Sequence, residues 1–353
     1  MRKLNLIFVL LLFPVIAGAK DLSTLYSQDT LSYWQTRYPK NIQHNFLNVI
    51  MPILNSNEKN ILSSTKLVFP LIGEHGGDPL EFYSYFDQSG PKVAMPILSI
   101  KFFDDLAIAY AWLWVNRYSI ETVSDYVATL KYNDHNKFHL SKYPQPLDAL
   151  NIPRNALENS DVDDLSQKIL KSAMIWILNH ELGHIYHRHP GYGPDVSAEQ
   201  AQKNEEQADR FATELMRRIG VAPIGMANFF TVASHWWSNR GDFTSDQAWR
   251  YYLENKTHPL TAGRLKMLAQ DIQESAKVFV RKEPNYPSAL QGVLNASGDI
   301  SKIAKLLEDT KLQRSIRAKA MCITELGLSL APRYPHEIWP IGYQKCIARE
   351  MNK

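Results

Sequence analysis

The sequence predicts a mainly α-helical protein with a small N-terminal sheet, an α+β arrangement in which helices dominate. Three observations carry this reading. The stretch from Asp164 to His184 places apolar residues at helical steps (Leu165, Ile169, Ala173, Ile177). A second stretch, Ala198 to Ile219, carries an apolar stripe on one face only, and Gly220 follows as a helix stop. The strand-like runs are short and both lie before residue 101: Leu67 to Ile72 and Val93 to Ile100.

Taken in order, Met1-Arg2-Lys3, the apolar run Leu4 to Ile16 and Ala17-Gly18-Ala19 have the layout of a secretory signal peptide, residues 1–19, cleaved before Lys20. The apolar run is too short to span a bilayer comfortably, and no cysteine near the cleavage point offers a lipid anchor. Removing Arg2 and Lys3 lowers the net charge from +3 to +1, which gives no electrostatic case for nucleic acid. Residues 20–60 read as polar and irregular, with Tyr33-Trp34 and an amphipathic patch from Ile42 to Leu54. Pro96, inside the second strand-like run, lacks an N–H donor and so points to a sheet edge, where a substrate backbone could add as a further strand. Asp104 to Asn116 reads as a very apolar backing helix, and residues 20–159 together as an N-terminal region.

Residues 160–283 carry the chemistry. Met174 to Leu178 is apolar all round, as in a helix at the centre of a domain. His180 and His184, four apart, point the same way and can bind one metal ion, while Glu181 reaches a water on that ion. Two neutral histidines and a glutamate on a buried face are costly without a partner, and zinc removes that cost. A zinc peptidase needs a third protein ligand and an open position. In the second helix the stripe 201, 205, 208, 212, 215, 219 includes Glu205, whereas Glu206 turns towards Arg210 and solvent. Glu205 is therefore the third ligand. Asp209, one turn on, is placed to accept from a ligand histidine and fix its tautomer. The pattern with glycine at 187 and a third histidine at 190 is absent, since His187 and Pro190 stand there. His187 and His189 read as polar residues at a helix C-terminus, where positive charge is favourable.

Three blocks now resemble the gluzincin metallopeptidases of the HtpX and CAAX-prenyl-protease type: His180-Glu181-Leu182-Gly183-His184, Glu205 to Ala212, and Thr257-His258-Pro259 to Leu265. The resemblance covers about residues 160–272 and implies a zincin-like core with His180, His184 and Glu205 around one Zn²⁺. It also implies that His258 and Arg264 face the cleft. There His258 can approach the zinc, and Arg264 either stabilises the oxyanion or braces a carboxylate such as Asp209. Locally, Pro259 suits the first position of a helix whose buried face is Leu260, Leu265 and Leu268. The chain departs from the family in lacking flanking transmembrane segments and in the Val93–Ile100 run, where the family has Asn-Ala followed by Pro-Gly. Residues 60–160 carry a second likeness, to the phage-exclusion type of HExxH peptidase.

Ile224 to Trp237 forms a further helix with Phe229, Phe230, Trp236 and Trp237 as core or cleft wall. Residues 284–353 read as a C-terminal helical extension, two or three short helices over Ser288–Leu330 with turns at Gly298-Asp299, Gly327 and Pro332. The two cysteines, Cys322 and Cys346, pair as a disulfide in an exported protein and lack the close spacing of a zinc site. No repeat or Gly-rich phosphate loop is present.

These readings describe a periplasmic or secreted zinc endopeptidase acting on protein or peptide substrates, with Glu181 as proton acceptor and His258 and Arg264 assisting. Its C-terminal helices could receive an envelope protein partner. The second reading is an envelope assembly or quality-control factor with a structural or self-inhibited zinc site.

Overall fold

The computed structural model describes residues 21–74, 77–133, 143–190, 196–254, 259–337 and 339–352. Residues 1–19, read above as a signal peptide, the Gly191–Asp195 segment and His258 lie outside them. The fold is mainly helical, with one three-stranded sheet near the N-terminus.

Residues 21–60 are largely helical rather than irregular. They form α1 (Gln28–Gln35), α2 (Tyr38–Asn45), a π turn at Phe46–Ile50, a 3₁₀ turn at Met51–Ile53 and α3 (Ser56–Leu62). Caps set these short elements: Ser27 accepts from Thr30 N, and Asn55 with Glu58 forms a reciprocal capping box. A window keyed to long apolar periodicity passes over helices of seven or eight residues.

The sheet runs β1 (Lys66–Val68), β3 (Gly90–Ala94), β2 (Tyr83–Asp87) in space. β1 is parallel to β3 with Lys66 opposite Lys92, and β2 is antiparallel to it with Tyr83 opposite Ala94. The strand at Val93 is therefore central, which corrects the edge reading, and the exposed edges are β1 and β2. It also ends at Ala94. Pro96, at φ −60° and ψ 136°, is the N-cap of α4 (Ile97–Val115), so Ile97–Ile100 is the first turn of that helix, seven residues before Asp104. Ile97 to Ala109 is buried on every side, lysine and both aspartates included, which erased the 3.6-residue contrast that would have marked it.

Those buried polar groups hold the N-terminal helices. Tyr26 donates to Asp105 Oδ2 (2.7 Å), Tyr38 donates to Asp104 Oδ2 (2.6 Å), and Lys101 pairs with Asp105. Burial raises the Asp104 carboxyl to about 6, against the Tyr38 hydrogen bond and Lys101, which lower it. An unfolded aspartate titrates near ~3.9, so the folded state holds the extra proton and stability falls as pH rises between those values. Asp104→Asn keeps an acceptor for Tyr38 and is expected to melt above the parent at about pH 7.5, the gain vanishing near about pH 4. An equal shift in melting temperature at both pH values would overturn this account.

After α5 (Glu121–Tyr132) and the short α6 (Pro146–Ala149) comes α7 (Ser160–His187), the long central helix, packed by α4, by α8 (Ala198–Ile219), by α9 (Ile224–Trp236) and by strands β2 and β3. Two glycines allow that packing. A Cβ on Gly183 would stand 2.9 Å from Ala208 Cα, and one on Gly225 would stand 2.1 Å from the Ile169 carbonyl oxygen, so α8 and α9 meet α7 backbone to backbone. α10 (Asp246–Glu254), α11 (Ala262–Glu274) and α12 (Ala276–Phe279) follow. Helix α11 begins after a Thr261 N-cap rather than at Pro259, because the Thr261 hydroxyl satisfies Arg264 N.

The C-terminal extension is α13 (Tyr286–Glu308), α14 (Thr310–Glu325) and α15 (Ile341–Met351). Gly298-Asp299 makes no turn. α13 runs straight through it because Val293, Ala296, Ser297, Ile300, Ile303 and Ala304 form one continuous buried face. That face packs on α11 and α9, and one core cluster extends from Leu22 to Cys346. Cys322 and Cys346 are joined, 24 residues apart in sequence, and tie α15 to α14. A crosslink closing a loop of this size is worth about 3 kcal/mol. The double variant Cys322→Ser/Cys346→Ser is expected to lose about that much stability in denaturant titration, and an unchanged midpoint would refute it. Among the described residues, no helix is long and apolar enough to cross a membrane.

Candidate metal centre

Helix α7 starts on Asn159, which accepts from Asp161 N and Val162 N, and stops at Arg188 in the left-handed region (φ 54°). Its last turns carry Trp176, His180 and His184 on one face, with Trp176 5.3 Å from the His180 ring. Opposite lies the buried stripe of α8, where Glu205 and Asp209 are both fully buried. The α7–α8 approach at Gly183 and Ala208 brings these faces together.

The facing atoms form a small triangle. His180 Nε2 and His184 Nε2 are 3.1 Å apart, His184 Nε2 is 3.3 Å from Glu205 Oε1, and His180 Nε2 is 3.5 Å from Glu205 Oε2. Three donors around a tetrahedral ion at about 2.0–2.1 Å stand about 3.3 Å from one another. The two imidazoles each turn the other nitrogen to a partner: His180 Nδ1 lies 2.9 Å from Asp209 Oδ1, and His184 Nδ1 lies 2.9 Å from His189 Nδ1. With a proton on each Nδ1, both Nε2 lone pairs converge beside a carboxylate. Such an arrangement fits a divalent cation. Burial opposes charge on His180, but the Asp209 and Glu205 carboxylates outweigh it and raise its pKa to about 10. The site thus seeks a positive charge at the position where an ion would sit.

Arg264 completes the cluster. Its Nη2 donates to Asp209 Oδ1 (2.8 Å), its Nε to Asp209 Oδ2, and its Nη1 meets Glu205 Oε2 (2.8 Å) and the Pro259 carbonyl (3.4 Å). Burial alone would raise the Asp209 carboxyl, yet Arg264 and His180 hold it below the ordinary carboxylate range. Of the two roles open to Arg264 in the sequence, these contacts are those of the brace. Of the residues singled out from sequence, His180, Glu181, His184, Glu205, Asp209 and Arg264 come together here.

Glu181 lines the same cavity as His180, Glu205 and Arg264, and its buried Oε2 has no hydrogen-bond partner among the described residues. The cavity is about 40 Å³, room for an ion and a water at roughly 10–15 Å³ per site. Leu80, Phe82, Trp176, Ile177, Phe229 and Trp237 form its apolar wall. Sequence reasoning missed Leu80 and Phe82, which the segment leading into β2 delivers and no local motif marks. Trp176 was within reach, because it precedes His180 by one helical turn. His189, read as a polar residue at the helix C-terminus, stands there just past the Arg188 cap and also packs against His184, and burial lowers its pKa to about 4.

With this geometry in place, comparison with known proteins adds one finding. Residues 115–279 match the family model described as Peptidase U49. The Peptidase U49 match runs from the end of α4 to the end of α12 and so contains both helices of the triangle. It supports a peptidase, a hydrolase of peptide bonds, and does not single out the HtpX-like type. No curated protein and no solved structure is significantly similar to the chain.

Proposed function

We propose that the protein is a zinc-dependent endopeptidase of the gluzincin type, acting on exported or envelope proteins. The observation that carries this reading is the buried convergence of His180 Nε2, His184 Nε2 and the Glu205 carboxylate beside an unpartnered Glu181 oxygen. The match to Peptidase U49 supports the reaction class, and the Cys322–Cys346 disulfide is compatible with export.

In this reading His180, His184 and Glu205 hold the ion. Bound zinc supplies Lewis acidity towards a water and a peptide carbonyl. Glu181 takes a proton from the attacking water and passes it to the leaving amine. Asp209 fixes the His180 tautomer, and Arg264 keeps Asp209 and Glu205 charged and in place. His258 adjoins Pro259, whose carbonyl accepts from Arg264, and is the residue we assign to face the oxyanion. The apolar wall of the cavity favours a hydrophobic side chain next to the scissile bond.

The test is metal dependence. Purified protein should hold about one zinc per chain, lose casein cleavage on chelation, and regain it when zinc returns. Cleavage at the parental rate after complete metal removal would overturn the proposal.

A further inference from the structure

The two histidines of the triangle are supported differently. His180 rests on the Asp209 carboxylate, which can only accept, so its proton stays on Nδ1. His184 rests on another imidazole. Its Nδ1 is 2.9 Å from His189 Nδ1, and His189 Nε2 is 2.8 Å from Gln207 Oε1. Gln207 stands on α8, two residues beyond Glu205, so this chain of contacts links the end of α7 back to the helix that carries the acid.

With both rings neutral, two proton arrangements satisfy that chain. In one, the Gln207 oxygen accepts from His189 Nε2–H, His189 Nδ1 accepts from His184 Nδ1–H, and the His184 Nε2 lone pair faces the triangle. In the other, the Gln207 amide donates, His189 carries its proton on Nδ1, and His184 must accept there. His184 would then point an N–H at His180 and could bind no cation. Here the Gln207 oxygen faces His189 Nε2, so the first arrangement holds and His184 takes the tautomer that can act as a ligand.

We propose that His189 and Gln207 are positioning residues that hold His184 in its metal-binding tautomer. The inference rests on the metal reading above and deepens it. Neither residue supplies an atom of the triangle; His189 touches His184 on its far nitrogen, and Gln207 touches His189.

The experiment measures zinc affinity of the full chain by competition with a chromophoric chelator, together with ¹⁵N signals of the imidazoles. His189→Phe keeps the ring and removes the acceptor, and should weaken zinc binding about 10- to 100-fold. His189→Asn, whose Oδ1 accepts near the Nδ1 position, should recover most of that loss. Gln207→Leu should weaken binding, and Gln207→Glu, an obligate acceptor, should keep it or tighten it. His189 should give the signals of an Nε2–H tautomer and His184 those of Nδ1–H. Melting of the metal-free variants controls for folding, and the Gln207 pair, at an exposed position, decides the matter should His189→Phe unfold. Parental affinity in both His189→Phe and Gln207→Leu, or an Nδ1–H His189, overturns the relay alone. A parent chain that takes up no zinc overturns the metal reading and the relay with it.

Discussion

Glu181→Gln is expected to lower peptide cleavage by at least about 10²-fold while the protein keeps its zinc and its fold. The side chain is nearly isosteric, and its buried Oε2 has no hydrogen-bond partner among the described residues, so the swap orphans no described donor. In the proposed mechanism, what it removes is the acceptor for the attacking water's proton. General-base catalysis of this kind contributes about 10²–10⁴ in rate. The measurement is kcat/KM on a quenched protein substrate, with zinc content and melting temperature as controls. A variant that cleaves at the parental rate would exclude Glu181 from the reaction.

The second large effect concerns stability. Arg264→Ala should cost about 3–5 kcal/mol, because it takes the guanidinium from two fully buried carboxylates, Asp209 and Glu205, and leaves His180 alone to offset both. The cost should depend on pH with a definite sign. Asp209 has a folded pKa below its unfolded value, despite burial, through Arg264 and His180. Its contribution is therefore present above about pH 4 and is lost as pH falls through the folded value. The gap between parent and variant should be widest near neutrality and narrow in acid. Saturating zinc should narrow it as well, by supplying a replacement charge next to Glu205. Equal denaturant midpoints for parent and variant at neutral pH would show that the cluster is not braced in this way.

Much of the centre was legible because its two helices carry strong patterns. The stripe of α8 places Glu205 and Asp209 among alanines, and Gly220 ends the helix at φ 84°, where the reading put the stop. The central helix was recognisable from Leu165 onwards, although Asn159 caps it earlier. What the sequence hid lacks periodic contrast or is assembled from distant segments. Helix α4 is buried all round, so its first turn passed for a strand. The N-terminal helices depend on caps and on tyrosines that find Asp104 and Asp105 some 66 to 79 residues away. His189 looked like a solvated helix end because its partners, His184 and Gln207, meet only when α8 folds back across α7.

The missing methyl at Gly183 has a dynamic consequence. With Ala208 Cα already 2.9 Å from where a side chain would begin, the paired backbones are interlocked and cannot slide without dragging the acid away from the imidazoles. Leu80, Phe82 and Trp237, which line the same cavity, come from segments outside that pair, so the helices form its fixed side and those segments its replaceable one.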